Sequence, residues 1–163
     1  MVWGGGEPTL DKSFELIVEE IDRYANPNIY HRVFTNSVRY HKAVTEFLKT
    51  GLIKIVTSID AGTREKFKEV RGRDRFYNVF ENLKKYSSIN PNRITIKYIL
   101  TEENLNEDEL KNFVLNCIKY DLKNCCYQIS MNYKYKNLRL DYLKSITYLM
   151  GVLKKNNIKK FFC

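Results

Sequence analysis

The sequence predicts an α/β domain built on a parallel sheet, and three observations carry that expectation. Strand-like segments at 29–35, 52–59, 94–100 and 125–131, the second a nearly continuous β-branched run, alternate with segments whose apolar residues recur at helical spacing. No short hairpin signal joins one run to the next. Parallel neighbours need crossover connections of about a dozen residues, and helices of that length lie between the runs.

Taken in order, Met1-Val2-Trp3 reads as the last part of a strand, and Gly4-Gly5-Gly6-Glu7-Pro8-Thr9-Leu10 as the loop after it. Glycines without a Cβ let backbone approach a ligand, and Glu7 adds a carboxylate at that point. The loop suits a polar or zwitterionic ligand; a tight turn that needs glycine for its geometry is the plainer alternative. Pro8 fixes φ for entry into a helix marked by Phe14, Ile17, Val18, Ile21 and Tyr24 and closed by Asn26-Pro27-Asn28. After the 29–35 strand, Tyr40, Ala43, Val44, Phe47 and Leu48 predict a second helix, ended by Gly51. The 52–59 run suits a strand covered on both faces. Thr63 opens a short helix to Val70, and the polar link Arg71-Gly72-Arg73-Asp74 precedes a helix with Phe76, Val79, Phe80 and Leu83 on one face. Asn106 and Glu109 have the spacing of a capping box ahead of Leu110, Phe113, Val114, Cys117 and Ile118. Leu143, Ile146, Thr147, Met150 and Leu153 predict a last helix, and 158–162 a last strand.

With 163 residues and 44% hydrophobic content, the chain reads as one domain over 1–163. Its 28 lysines and arginines against 19 acidic residues give +9, but they are scattered, so a solvated basic surface is favoured over a nucleic-acid role. No stretch reads as a signal peptide or a membrane span, which places the chain in the cytoplasm and away from membranes. Cys117, Cys125, Cys126 and Cys163 have neither disulfide-framework nor zinc-site spacing, so free thiols are expected and no metal ligand is assigned.

In parallel α/β folds ligands bind at the carboxyl ends of the strands. The residues expected there are Gly4 to Glu7, Thr35 and Asn36, Ser58 and Asp60, Thr101 to Asn104, and Asn132. Singly, each suits a cap or turn; as a set they suit a polar binding site.

From residue 2 to about 104 the chain resembles the radical S-adenosylmethionine (radical SAM) superfamily. The matching pieces are Gly4-Gly5-Gly6-Glu7-Pro8-Thr9-Leu10, Phe34-Thr35-Asn36-Ser37, Gly51 with Ile55-Val56-Thr57-Ser58-Ile59-Asp60, Thr63 to Phe67, Val70-Arg71-Gly72, and Phe76 to Leu83, in the family's order and spacing. The resemblance implies a partial (βα)6 TIM-like barrel with parallel strands, its first βα unit missing. It implies S-adenosylmethionine as cofactor, with Gly5, Gly6 and Glu7 holding the amino group, Ser58 the ribose or carboxylate, Arg71 the carboxylate and Asn36 a polar contact. Asp60 is a weaker candidate.

Family members carry a Cys-x3-Cys-x2-Cys loop upstream of the Gly-Gly-Glu segment, where three thiolates bind a 4Fe-4S cluster. This chain does not contain it, so no catalytic residue is assigned. The expectation is a fragment of a radical SAM enzyme, incomplete at the N-terminus and, after Phe161-Phe162-Cys163, at the C-terminus as well. Alone it should be inactive, and its open sheet edge would favour self-association. A barrel-type binding module without catalysis, and a basic RNA-binding piece, are the alternatives.

Overall fold

The computed structural model describes residues 2–3, 6–24, 26, 31–131 and 140–163. Gly4, Gly5, Pro27, Asn28 and Asn132, and with them part of the expected 29–35 strand, lie outside the described residues. Six strands form one sheet in the order of the chain: β1 (Val2–Trp3), β2 (His31–Phe34), β3 (Ile53–Ser58), β4 (Ile94–Leu100), β5 (Cys126–Met131) and β6 (Phe161–Phe162). Every neighbouring pair is parallel. The connections are helical: α1 (Phe14–Arg23), α2 (Lys42–Thr50), α3 (Arg64–Arg71) with α4 (Phe76–Ser87), α5 (Glu107–Lys119) and α6 (Leu140–Lys155). This is the α/β class that the alternating periods predict.

Alternation along the strands decides which face is covered. Ile53 and Ile55, Ile94, Ile96, Tyr98 and Leu100, and Tyr127 and Ile129 join one core with Val44, Phe47 and Leu48 of α2, Phe80 and Leu83 of α4, and Leu110, Phe113 and Val114 of α5. The residues between them face the other way. Register sets Ser58 beside Lys97 and Lys97 beside Gln128, a polar row across β3, β4 and β5.

Left-handed residues end four of the helices. Gly51 (φ 74) follows α2, Gly72 (φ 70) follows α3, Asp121 (φ 59) lies two residues past α5 and Asn157 (φ 62) two past α6. Asn157 explains why the last strand is shorter than the expected 158–162. The turn it makes lets the Ile158 amide donate to Leu153 O at 3.0 Å, so Ile158 seals the end of α6, fully buried, and the strand begins only at Phe161.

The capping box at α5 is half made. Asn106 Oδ1 accepts from the Glu109 amide at 2.9 Å, but the Glu109 carboxylate does not return to Asn106. It crosses to the start of α3, accepting from Gly62 N at 2.6 Å, Thr63 N at 3.1 Å and Thr63 Oγ1 at 2.5 Å. Unpaired amides at a helix start are stronger claimants for a carboxylate than a loop amide is. Gly62 is where the two elements touch: a Cβ there would stand 1.9 Å from Glu109 O.

Candidate functional site

The carboxyl ends of β1 and β2 are joined by one acidic side chain. Pro8 does not lead directly into α1; it opens a 3-10 turn, Pro8–Leu10, whose cap is Glu7. Glu7 Oε1 accepts from Thr9 N at 3.3 Å, Thr9 Oγ1 at 2.6 Å and Thr35 Oγ1 at 2.7 Å, and Oε2 accepts from Asn36 N at 2.6 Å. Oε1 is thereby filled, and Oε2 keeps capacity for another donor.

The segment after β2 is fixed from beneath. Ser37, left-handed at φ 54 and fully buried, shares a 2.6 Å hydrogen bond with Thr57 Oγ1. Asn82 Nδ2 of α4 donates to Ser37 O at 3.0 Å and to Val38 O at 3.1 Å. Asn36 Oδ1 accepts from Val38 N at 2.9 Å, which turns the Asn36 amide group toward solvent.

Beyond β3, Asp60 (φ 57) is buried and reaches two elements. Its Oδ1 accepts from Ile99 N at 2.7 Å, and its Oδ2 accepts from Arg71 Nη2 at 2.6 Å. The same Arg71 nitrogen donates to Ser58 O at 2.8 Å. Burial pushes the Asp60 carboxyl above its ordinary range, while the Arg71 guanidinium and the Ile99 amide draw it back. Below it, Asn104 Nδ2 donates to Asp60 O and Ile99 O, each at 2.9 Å, and Asn104 Oδ1 accepts from Thr101 N at 2.7 Å.

These segments enclose a cleft of about 510 Å³ lined by Glu7, Asn36, Ser58 and Arg71, the first three from the ends of successive strands and the fourth from the end of α3. Gly6 precedes Glu7, and a Cβ at Gly6 would meet nothing within 4 Å. The fold therefore gives no internal reason for glycine there. Gly5 lies outside the described residues. Asp60 is not a lining residue; it acts on one.

Among the cleft residues that go beyond the sequence expectation are three cations, Arg39, Arg73 and Arg75. The signal was present as Arg71-Gly72-Arg73-Asp74-Arg75, three guanidiniums in five positions, which reads as a polar link until α3 and α4 fold it over the strand ends. Asp74 is drawn away by Arg64, whose Nε donates to it at 2.9 Å, and the pair holds the Asp74 carboxyl below its usual range.

The cysteines stand elsewhere. Cys125 and Cys126 lie at the amino end of β5, opposite the cleft, Cys117 is buried in α5, and Cys163 follows β6. Burial pushes the Cys125 thiol up to about 12. Among the described residues no three histidine, cysteine or acidic side chains are placed to hold a metal ion, so these residues do not fit a 4Fe-4S cluster. No helix among them is long and apolar enough to cross a membrane.

A GTP 3′,8-cyclase of Mannheimia succiniciproducens is 31% identical over 109 residues, 67% of this chain and 32% of that protein. The molybdenum cofactor biosynthesis protein moc-5 of Caenorhabditis elegans is 32% identical over 115 residues, 68% of this chain and 18% of that one. The chain thus spans about a third of the length of the cyclase it matches. In fold it is similar to a domain of a pyruvate-formate lyase-activating enzyme from Bacteroides vulgatus, with TM-score 0.72 and 14% identity, covering 99% of this chain and 96% of that one. Native anSMEcpe with bound AdoMet gives TM-score 0.67 and 19% identity over 98% of this chain and 48% of that one. The family model of the radical SAM superfamily matches residues 1–114, and the chain belongs to that superfamily.

Proposed function

We propose that this chain forms the S-adenosylmethionine site of a radical SAM enzyme which, as a full-length protein with a 4Fe-4S cluster, cleaves that cofactor reductively to a 5′-deoxyadenosyl radical. The observation that carries the reading is the convergence of Glu7, Asn36, Ser58 and Arg71, from four segments, on one cleft. The groups fit a zwitterionic nucleoside. The free capacity of Glu7 Oε2 and the open backbone at Gly6 suit an ammonium. A single donor on Nε or Nη1 of Arg71, which Ser58 O and Asp60 leave unused, suits a carboxylate oxygen. The Ser58 hydroxyl and the Asn36 amide suit ribose hydroxyls. When bound, S-adenosylmethionine supplies a sulfonium whose carbon–sulfur bond is the one that breaks; this chain's residues orient it and hold its charges.

The reducing centre is assigned outside residues 1–163, so the purified chain is expected to form no 5′-deoxyadenosine. For the substrate we infer an anionic nucleotide of the kind named for the cyclase relatives, GTP, because Arg39, Arg73 and Arg75 bring more positive charge to the cleft than one carboxylate needs. Equilibrium dialysis with labelled S-adenosylmethionine tests the reading. Saturable binding that falls about tenfold in Glu7→Ala, roughly the worth of one charge-assisted hydrogen bond, is expected. Binding indifferent to Glu7→Ala and Arg71→Ala would leave a different ligand, and binding of RNA that weakens steeply with salt would point to the basic alternative.

A further inference from the structure

Asp60 is the buried acidic residue closest in role to the cleft, yet it does not line it. Its carboxylate splits its two oxygens between jobs. Oδ1 takes the Ile99 amide at 2.7 Å, next along the ladder after Ile59 N donates to Lys97 O, so it extends the β3–β4 pairing where β3 ends. Oδ2 takes Arg71 Nη2. Because that nitrogen also donates to Ser58 O, both of its hydrogens are committed. Each two-pronged face of a guanidinium needs one of those hydrogens, so the fork expected of Arg71 is spent on the protein. What faces the cleft is a set of single donors on Nε and Nη1. Asp60 is in turn held by Asn104, fully buried, which donates to its carbonyl.

We infer that Asp60 is a positioning residue: it clamps Arg71 against the end of β3 so that Arg71 meets a ligand carboxylate through a single remaining donor, on Nε or on Nη1, in one fixed orientation. This rests on the proposed S-adenosylmethionine site for the identity of the ligand, though not for the clamp. A guanidinium with one nitrogen tied to a buried carboxylate and to a strand carbonyl loses rotational freedom before the ligand arrives, which lowers the entropy of binding still to be lost. Asp60→Asn is the conservative variant, since its Oδ1 can still accept from Ile99 N while its neutral amide gives Arg71 no charge to hold.

Two readouts separate the clamp from the ligand. The first uses no ligand: in ¹⁵N-labelled protein the Arg71 guanidinium should show hindered rotation and slow Nε–H exchange, and Asp60→Asn should bring both to the level of exposed Arg73. Arg71 equally mobile in both proteins would overturn the proposal. The second is a double-mutant cycle on binding. Asp60→Asn should weaken S-adenosylmethionine about tenfold, leave 5′-methylthioadenosine, which has no carboxylate, unchanged, and have no further effect in Arg71→Ala. An equal loss in the Arg71→Ala background, or for both ligands, would make Asp60 merely structural. A wild-type chain with a hindered Arg71 that binds neither ligand would overturn the cofactor reading and leave the clamp standing.

Discussion

At the carboxyl ends of β1 to β3 several polar side chains stand exposed with bonding capacity to spare, whereas the core built by β4, β5 and α5 is apolar and buried. Arg39, Arg73 and Arg75 stand exposed in the cleft, and Glu7 Oε2 has one donor where it has room for more. In the second region Tyr98 packs on Phe113 with ring centres 4.7 Å apart, and its hydroxyl donates to Asn104 O at 3.2 Å. Tyr127 donates likewise to Leu122 O at 3.0 Å. The two regions meet at Asp60 and at Gly62. One holds the fold; the other is held by it, with groups left over for something else.

The sharpest way to break that division is at the contact itself. Gly62→Ala sets a Cβ against the α5 backbone rather than against a side chain that can swing away. We expect a loss of about 3 kcal/mol in denaturant unfolding, with a melting temperature lower by roughly 6–12 °C. An unchanged melting curve would show that α3 and α5 are not locked here.

A second test works through alkali. Burial raises the Tyr86 hydroxyl from 10.0 to about 12, although the hydrogen bond it accepts from the His41 amide pulls the other way. The folded state holds this proton to a higher pH than the unfolded chain does. Its contribution is therefore whole below pH 10 and is lost as the pH rises through 12, by up to roughly 3 kcal/mol. Cys125, raised from 9.0 to about 12, adds a loss of the same sign. Urea unfolding followed from pH 8 to 12 should show the decline, and Tyr86→Phe should make it shallower.

The rim should respond in the opposite sense. Arg73→Gln with Arg75→Gln is expected to move stability by no more than about 0.5 kcal/mol, since both side chains are exposed and neither forms an ion pair among the described residues, while reducing the salt dependence of nucleotide binding. A large fall in stability would mean that the arginines serve the fold.

The contrast also explains what the sequence could reveal. Periodicity placed α1, α2, α4, α5 and α6 because each buries an apolar stripe, from Val44, Phe47 and Leu48 to Leu149 and Leu153, while α3, with Phe67 buried, was marked by Thr63 at its start. Strand-end loops pointed to Glu7, Asn36 and Ser58, since a parallel sheet gathers its carboxyl ends in one place, whereas Arg71, at the end of α3, came only from the family resemblance. What stayed hidden depends on groups far apart in the chain. Glu109 matches a local capping box, but its carboxylate goes to amides 46 and 47 residues away. Arg73 and Arg75 look like linker until α3 and α4 turn them over Ser58. Asp60 looks like a cleft residue and instead bonds to one, Arg71, because only the fold shows that its oxygens accept from Arg71 and the Ile99 amide.

The most direct measurement is an amide chemical-shift map of the ¹⁵N-labelled chain titrated with S-adenosylmethionine. Shifts confined to Gly6, Glu7, Asn36, Ser58 and residues 71–75 are the expected result. Shifts along the outer groove of Glu15, Lys42 and Glu46 between α1 and α2, shifts around Cys125 and Cys126, or none at saturating ligand, would contradict a cofactor site at the carboxyl ends of β1 to β3.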